Sequence, residues 1–437
     1  MNFYSTKNKN LSVSFQEALL SGMAKDGGLF MPETIPVLSE EEKRAISSKS
    51  FWETAAILAQ KFLEGEILEK NLKAICKEAY DFPVPLHELG EDDLVLELFH
   101  GPTLAFKDFA ARFMSRCSDY FLNKKNIQKN IMVATSGDTG GAIGNGFLGL
   151  KSVRIFILYP KGGVSPIQEK QLTTIGDNVQ AIEIEGSFDD CQRLVKEAFN
   201  NREINDRYNL MSANSINIGR FIPQSFYYVW ISLKLQEKYP GKKIVFSVPC
   251  GNFGNLFGGI LAKMMGAPIH KFISTNNENH PFFDFLQTGD FKSVKSVQTL
   301  SNAMDIGSPN NFVRIWDLFG KKVENVRDVI WGDWSDDEIT AKMISKIYHE
   351  KKYLMCPHTA VGYLGVQKFK EKFGKDFLFV TVSTAHPAKF AERVEEIIKE
   401  KVEIPDVLLE ALKKPKNATL LPPKLEAIEI FLMNNLG

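Results

Sequence analysis

The spacing of apolar residues changes once along the chain, near residue 94. In the preceding part, apolar positions recur at helical spacing, which predicts helices over 15–23 and 51–78 with short strands between them. From Leu94 onward, short apolar runs alternate with helical segments, as they do in α/β proteins. The pattern therefore predicts a mostly helical region over 1–93, followed by α/β structure.

The short apolar runs predict the buried strands of the α/β part. These strands cover 94–99, 131–134, 153–158, 179–184, 244–248 and 377–382. Helices are predicted over 221–238, 256–265 and 335–348, and from Ser187, where Ser187 and Asp190 fit a capping box. Because 437 residues exceed what one core organises, we expect a smaller α/β domain over 94–240 and a larger one over 241–437, which ends in a charged helical tail.

Composition narrows the class of protein. Lys and Arg total 53, as do Asp and Glu, and this balance argues against a nucleic-acid or membrane-surface protein, which needs a basic excess. The five cysteines lack CxxC spacing and the seven histidines lack metal-ligand spacing, so we expect neither a disulfide framework nor a metal site. The first residues contain no apolar signal segment, which favours a cytoplasmic protein.

The segment ELFHGPTLAFKDFAARFM, residues 97–114, contains the first candidate for catalysis. Lys107 follows an apolar strand and a Gly-Pro turn, and it lies beside Phe106 at the start of a predicted helix. Desolvation disfavours an ammonium group, so the pKa of Lys107 should fall and its amine should become nucleophilic. Such amines form Schiff bases with carbonyl compounds, including pyridoxal phosphate. The alternative is a lysine that reaches solvent from a helix start.

Two glycine-rich loops each follow a predicted strand and precede a helix. CGNFGN, residues 250–255, offers backbone amides and a helix N-terminus to an anion, and we interpret it as a phosphate cradle. SGDTGGAIGNG, residues 136–146, adds the hydroxyls of Ser136 and Thr139 and favours a carboxylate or a phosphate. For each loop the alternative is a tight turn that allows close helix packing.

Two polar clusters complete the candidate site. NSINIGR, residues 214–220, places Arg220 near amide and hydroxyl groups, which suits a second phosphate or carboxylate; the alternative is an N-cap followed by a solvated arginine. STAHPAKF, residues 383–390, follows a predicted strand, and ligands of open α/β sheets bind at the carboxyl ends of strands. There, Ser383 or Thr384 would hydrogen-bond a ring nitrogen.

Three histidines lie near these motifs without a pairing that identifies a catalytic base. They are His100, His358 and His386. For His100 and His358, a packed, structural histidine is as good an explanation as a contact with a ligand. For His386, which stands beside a proline, a structural role is favoured over catalysis.

In its motifs, the chain resembles the threonine synthase family of the bacterial and fungal type. The motifs occur in the family's order: YSTKN, SFQEALLSGMAKDGGLFMP, HGPTLAFKDFAARF, VATSGDTGGAI, YPKGGVSPIQEKQLTTIG, NSINIGR and STAHPAKF. This family belongs to the fold-type II pyridoxal-phosphate enzymes, which are similar to tryptophan synthase β. The resemblance implies an α/β fold with two open, twisted, mostly parallel sheets, flanking helices and an N-terminal, mostly helical region.

The resemblance also implies a role for each candidate residue. Lys107 would carry pyridoxal 5'-phosphate, and Thr384 would face its pyridine nitrogen. The residues implied at the cofactor phosphate are Gly251, Asn252, Phe253, Gly254 and Asn255. The substrate carboxylate would lie at Ser136, Gly137, Asp138 and Thr139, and the substrate phosphate at Asn214, Ser215 and Arg220. Related dehydratases carry Asn at the position of Asp138, so the role of this carboxylate is left open.

The implied reaction converts O-phospho-L-homoserine and water to L-threonine and phosphate. The freed Lys107 amine would remove the proton at Cα, phosphate would leave from Cγ, and water would add at Cβ while closure of the domains controls its access. The alternatives are a phospho-lyase that releases 2-oxobutyrate, a serine/threonine dehydratase, and a non-catalytic metabolite-binding relative. We expect a monomer or homodimer that binds a small-molecule substrate, with no nucleic-acid or membrane partner.

Overall fold

The computed structural model describes residues 1–436, which contain fourteen strands and nineteen α-helices. The strands are β1 (Asn2–Ser5), β2 (Ser12–Ser14), β3 (Phe30–Pro32), β4 (Leu86–Gly90), β5 (Asp93–Glu97), β6 (Lys129–Ala134), β7 (Val153–Pro160), β8 (Val179–Ile184), β9 (Leu210–Ser212), β10 (Lys243–Pro249), β11 (Ile269–Asn276), β12 (Ile330–Trp334), β13 (Phe377–Ser383) and β14 (Ala418–Leu421).

The helices alternate with the strands after residue 97. They are α1 (Phe15–Ser21), α2 (Glu40–Ser47), α3 (Phe51–Leu63), α4 (Glu69–Ala79), α5 (Lys107–Lys125), α6 (Asp138–Gly146), α7 (Pro166–Thr173), α8 (Phe188–Asn200), α9 (Arg202–Tyr208), α10 (Ile218–Lys238), α11 (Gly254–Met264), α12 (Pro281–Thr288), α13 (Phe312–Leu318), α14 (Val323–Val329), α15 (Asp337–Lys351), α16 (Pro357–Phe373), α17 (Ala391–Ile398), α18 (Asp406–Lys413) and α19 (Leu425–Leu436). Two short 3₁₀ helices cover Asn302–Met304 and Pro387–Phe390.

Two large, mostly parallel sheets organise the molecule. The six-stranded sheet has the order β12-β11-β10-β13-β5-β4, in which β4 alone runs antiparallel to its neighbour. The five-stranded sheet has the order β14-β8-β7-β6-β9 and is parallel throughout. A small antiparallel sheet, β2-β1-β3, lies near the N-terminus. The expected α/β fold with two mostly parallel sheets is confirmed.

Strand pairing crosses the domain boundaries that the sequence suggests, and the division itself remains a prediction. β5, placed by the sequence at the start of the smaller domain, pairs with β13 in the six-stranded sheet. β14, in the predicted helical tail, pairs with β8 in the five-stranded sheet. An apolar run predicts a strand but does not identify its neighbour. Helix α5 therefore connects one sheet to the other, and its first residue, Lys107, lies at the junction.

The N-terminal region differs from its prediction in two elements, the first of which is α2, a helix that lies outside both predicted ranges. The helix predicted over 51–78 is two helices, α3 and α4, separated by a turn. Gly65 in that turn has φ of +80°, a left-handed conformation that ends a helix and that glycine adopts without strain. The capping box of α8 is confirmed, since Ser187 Oγ accepts from the Asp190 amide and the Asp190 carboxylate accepts from the Ser187 amide.

Helix α10 forms the partition between the sheets. It is buried over most of its length and packs against both α5 and α11. Gly258 of α11 allows the close approach, because a Cβ there would lie 2.8 Å from the Gln224 side chain. Tyr227 and Tyr228 each donate a hydrogen bond to Asn255 Oδ1, at 2.7 and 2.8 Å. Packing of α10 thus fixes the start of α11. None of the helices described over residues 1–436 has the length and apolar character needed to cross a membrane.

Candidate functional site

Strands of both sheets end at one cavity of about 570 Å³. Its walls include the last residues of β6, β9 and β10 and the residue after β13, namely Ala134, Ser212, Pro249 and Thr384. The candidate residues that line it are Lys107, Ser136, Asp138, Thr139, Asn214, Ser215, Arg220, Gly251, Asn252, Phe253, Gly254, Asn255 and Thr384. Gly137 does not line the cavity; a Cβ at this residue would lie 2.5 Å from the Gln168 side chain. The sequence motifs thus converge on one place, while their individual roles remain predictions.

Lys107 lies in this cavity with its side chain 13% exposed. Its Nζ is 3.9 Å from Asp138 Oδ2. Burial lowers the pKa of the Lys107 ammonium to about 8; Asp138 opposes this shift, and Arg220 and Lys389 add to it. Near neutral pH, a much larger fraction of Lys107 is therefore uncharged than of an ordinary lysine. This is the shift that the apolar neighbours of Lys107 in the sequence indicate.

The segment before Lys107 is bound to the segment after β13. The Phe106 amide donates to Thr384 O at 2.9 Å, and the His386 amide donates to Leu104 O at 3.1 Å. Leu104 has φ of +56°, an uncommon conformation for leucine that these hydrogen bonds help to hold. Lys107 and Thr384 are therefore held side by side, although they lie far apart in the sequence.

Asp138 forms a buried ion pair with Lys389. Lys389 Nζ lies 2.7 Å from Asp138 Oδ1 and also donates to Thr103 O at 2.9 Å. Gln168 Nε2 donates to the same carboxylate at 3.0 Å. Burial would raise the pKa of Asp138, but Lys389 and Lys107 hold it well below its usual range. The carboxylate is thus ionised and largely neutralised by Lys389.

The loop 250–255 has the shape of an anion cradle. Phe253 has φ of +60°, and a Cβ on Gly251 would lie 2.8 Å from Ala303 O, so the backbone passes too close for a larger residue. The buried Asn255 Nδ2 has no hydrogen-bond partner among the described residues. A buried amide donor without a partner is costly, and a bound phosphate would satisfy it.

The loop 214–220 brings a buried arginine into the same cavity, next to the cradle: a Cβ on Gly254 would lie 3.8 Å from the Ser215 side chain. Asn217 caps α10, and Arg220 is only 3% exposed, so the alternative of an N-cap at Asn214 or Ser215 followed by a solvated arginine is wrong. Arg220 Nη1 donates to Ala213 O at 2.6 Å, whereas its Nε has no partner within residues 1–436. Burial lowers the pKa of Arg220 to about 10, which leaves the group charged at neutral pH.

Three family models match successive parts of the chain. Residues 2–80 match the threonine synthase N terminus, 82–384 match the pyridoxal-phosphate dependent enzymes, and 359–432 match the C-terminal part of threonine synthase. The chain belongs to the threonine synthase family. Its expected membership is therefore confirmed, as is dependence on pyridoxal phosphate.

Similar members of the threonine synthase family span the whole chain. The threonine synthase of Buchnera aphidicola subsp. Acyrthosiphon pisum is 42% identical, with 99% of this chain and 100% of the relative covered. The crystal structure of threonine synthase from Escherichia coli superposes with a TM-score of 0.92 at 37% identity and covers 100% of both chains. PLP-bound threonine synthase from Brucella melitensis gives a TM-score of 0.92 at 36% identity, with 99% of each chain covered.

The cavity fits the cofactor of the threonine synthase family. Lys107 supplies an amine of lowered pKa, and the cradle at 250–255 supplies an unpartnered amide donor. Of the two hydroxyls proposed for the ring nitrogen, Thr384 lines the cavity, while Ser383 is hydrogen-bonded to Thr359 at 2.7 Å behind it. These contacts support Thr384 for that position.

The histidines separate into one cavity residue and two others. His358 lines the cavity, where its Nε2 accepts from the Ala303 amide at 3.2 Å and burial lowers its pKa to about 4. The His358 imidazole is therefore neutral, and its Nε2 is already used as a hydrogen-bond acceptor. His100 pairs with Glu97 at 2.7 Å, and His386 Nδ1 accepts from the Ala388 amide; neither lines the cavity.

Sequence reasoning missed Lys389 as a functional residue. A signal was present, because Lys389 stands between Ala388 and Phe390 in the same kind of apolar setting as Lys107. Its partner Asp138 lies on another sheet's helix, so the pair itself is visible only in three dimensions.

Proposed function

We propose that the protein converts O-phospho-L-homoserine and water to L-threonine and phosphate, with Lys107 as the base. One observation carries the proposal: Lys107 lies in a single cavity that is also lined by the two candidate anion sites, the cradle at 250–255 and the loop at 214–220. A phosphorylated cofactor and a phosphorylated substrate require two such sites. Membership of the threonine synthase family supports the same reaction.

The cofactor would be held at both of its ends. Gly251, Asn252, Phe253, Gly254 and Asn255 would bind its phosphate, Thr384 would hydrogen-bond the pyridine nitrogen, and Lys107 would hold the aldehyde carbon. When bound, pyridoxal phosphate supplies an electron sink for the bonds around the substrate Cα. A neutral hydroxyl at the nitrogen leaves the ring less electron-withdrawing than a carboxylate would.

The substrate carboxylate would bind at the start of α6. The Gly137 and Gly140 amides already donate to Thr135 Oγ1, at 2.9 and 2.8 Å. Ser136 and Thr139 line the cavity, so their hydroxyls would donate to a bound carboxylate. The negative charge of Asp138 would oppose a carboxylate there, but Lys389 neutralises it. Gly137 would contribute by shaping the turn before α6, because its amide is already used and it does not line the cavity.

The substrate phosphate would bind at Asn214, Ser215 and Arg220. The unpartnered Nε of Arg220 would donate to a phosphate oxygen as that group leaves from Cγ. Lys107, in the same cavity, would remove the Cα proton and return protons to the carbon chain. Both residues are buried, so bulk water is kept from the reacting carbons before it adds at Cβ.

Product identification tests the proposed reaction. The purified holoenzyme with O-phospho-L-homoserine should release L-threonine and inorganic phosphate in equal amounts. L-serine and L-threonine serve as control substrates and should give no 2-oxo acid. Accumulation of 2-oxobutyrate from phosphohomoserine would instead establish the phospho-lyase alternative, and deamination of the controls would establish a dehydratase.

Arg220→Gln is expected to weaken substrate binding with a smaller effect on folding. Hydrogen bonds to charged groups contribute about 1.5–3 kcal/mol, so the KM for phosphohomoserine should rise about 10- to 150-fold. Arg112→Gln is the control, because Arg112 also donates to a main-chain carbonyl, Ala79 O, but lies outside the cavity. An unchanged KM in the Arg220 variant would show that the substrate phosphate does not bind at this loop.

The proposal includes a cytoplasmic monomer or homodimer. The five cysteines, which are all buried and free, suit a reducing compartment. Light scattering of the purified protein would measure the oligomeric state.

A further inference from the structure

Arg314 is a fully buried cation behind the cavity. It lies on α13 with no exposed surface, and no described carboxylate forms an ion pair with it. Its guanidinium plane lies over the Phe221 ring, 4.4 Å from the ring centre. Burying an arginine without a carboxylate is unfavourable by several kcal/mol, so neighbouring dipoles or a bound anion must compensate for it.

The acceptors of Arg314 belong to three separate segments. Nε donates to Phe30 O at 3.1 Å, on the N-terminal sheet. Nη1 donates to Ser215 O at 3.4 Å and Nη2 to Ile216 O, both within the loop proposed for the substrate phosphate. Nη1 also donates to Asn311 Oδ1. One guanidinium thus holds parts of the chain up to 284 positions apart.

Asn311 connects this arginine to the cofactor cradle. Its Nδ2 donates to Asn252 O at 2.8 Å. The adjacent Asn310 amide donates to Asn252 Oδ1 at 3.2 Å. The two anion-binding loops are therefore connected through Arg314 and Asn311, side chains that do not themselves reach the reacting atoms.

We propose that Arg314 is a positioning residue that braces the substrate-phosphate loop against the cofactor-phosphate cradle, and that its buried charge favours occupation of the cavity by two phosphate groups. The geometry carries this proposal: two hydrogen bonds from one planar group reach the substrate-phosphate loop, and a third reaches Asn311, which donates to the cradle at Asn252 O. Lysine has no such planar fork. Although burial lowers the pKa of Arg314 to about 9, the group is still charged at neutral pH. Dianionic phosphate esters are the ligands whose binding this charge would favour.

Arg314→Lys tests the brace, with Arg327→Lys as the matched control. Arg327 also donates to two main-chain carbonyls, Leu286 O and Gln287 O, but lies away from the cavity. We expect Arg314→Lys to raise the Kd of the apoprotein for pyridoxal phosphate at least tenfold and the KM for phosphohomoserine at least tenfold, while kcat changes less than threefold. The control should lower Tm without moving either constant. If the two variants lost the same amount of Tm while the Kd and the KM of the Arg314 variant stayed within twofold of the parent values, Arg314 would have a structural role only.

Asn311→Asp provides a second test that does not remove the arginine. The new carboxylate still accepts from Arg314 but neutralises its charge and no longer donates to Asn252 O. The Kd for pyridoxal phosphate and the KM should both rise at least tenfold; constants within twofold of the parent would overturn the proposal. Of these two measurements, only the KM for phosphohomoserine rests on the proposed function. If the parent itself does not turn over phosphohomoserine, that function fails, while the Kd measured by protein fluorescence still decides the role of Arg314.

Discussion

Lys107→Ala is expected to abolish turnover of O-phospho-L-homoserine and to remove the visible absorption band of the bound cofactor. The alanine variant loses both the amine that holds the cofactor and the base that moves the Cα proton. Loss of general base catalysis alone slows a reaction by about 10²- to 10⁴-fold, so the combined loss should exceed about 10⁴-fold. Steady-state assays of threonine release and an absorbance spectrum of the holoenzyme check both parts.

Lys263→Ala is the matched control for this experiment. Lys263 is also half-buried with a lowered pKa, again through desolvation, but its ammonium donates to Ile269 O and His270 O away from the cavity. That variant should keep the absorption band and most of its activity. More than a tenth of the parental rate in the Lys107 variant would contradict the assignment of Lys107 as the base.

The second large effect is expected at the buried pair of Asp138 and Lys389. Asp138→Asn leaves the Lys389 ammonium buried without its counter-charge, and breaking such pairs lowers the free energy of unfolding by about 3–5 kcal/mol. The pKa of Lys107 should fall further below 8, because Asp138 is the group that raises it. Chemical denaturation measures the first change, and a pH titration of the acid limb of kcat/KM, where the base becomes protonated, measures the second.

The pH dependence of stability gives an independent check on this pair. Since the folded state holds the pKa of Asp138 below its ordinary value, the stabilisation is complete above that ordinary value and is lost as the pH falls towards the folded-state value. Asp138→Asn should therefore flatten the acid side of the stability curve. Near pH 8, Asp138 is ionised in both the folded and the unfolded protein, so its titration should not change the stability there.

A double variant and a surface pair complete this experiment. Asp138→Asn combined with Lys389→Met removes both charges and should recover much of the lost stability. Glu197→Gln breaks the exposed pair with Arg193, which should change the free energy of unfolding by less than about 1 kcal/mol. If Asp138→Asn and Glu197→Gln lowered the free energy of unfolding by equally small amounts, the larger effect expected from burial of the Asp138–Lys389 pair would be contradicted.

The sequence predicts those parts of the site whose signal is local. Lys107 stands out through its own apolar neighbours, and the cradle at 250–255 stands out because a strand, a glycine-rich turn and a helix follow one another. Arg314 gives no such signal, because its acceptors lie on segments remote in the sequence and its neighbours resemble those of any helical arginine. Every residue has a main-chain carbonyl, so the sequence does not show which carbonyls accept hydrogen bonds from Arg314.

The fold shows the same division between local and remote information. Strand β5 is predicted within two residues, yet its place beside β13 depends on tertiary contacts that the apolar run does not encode. The break between α3 and α4 was missed although Gly65 marks it, since apolar periodicity continues across the turn. Strand β14 is only four residues long and has no buried residue, and it lies at a sheet edge, where it pairs with β8 alone.

The shared strands have a consequence for synthesis of the chain. Neither 1–240 nor 241–437 contains a complete large sheet, because β5 belongs with the later strands and β14 belongs with the earlier ones. A nascent chain that emerges from the ribosome N-terminus first must keep the exposed edge of β8 unpaired until residue 421 has been made. Until β14 has been made, the unpaired edge of β8 is therefore a place where the partly synthesised chain is prone to aggregate.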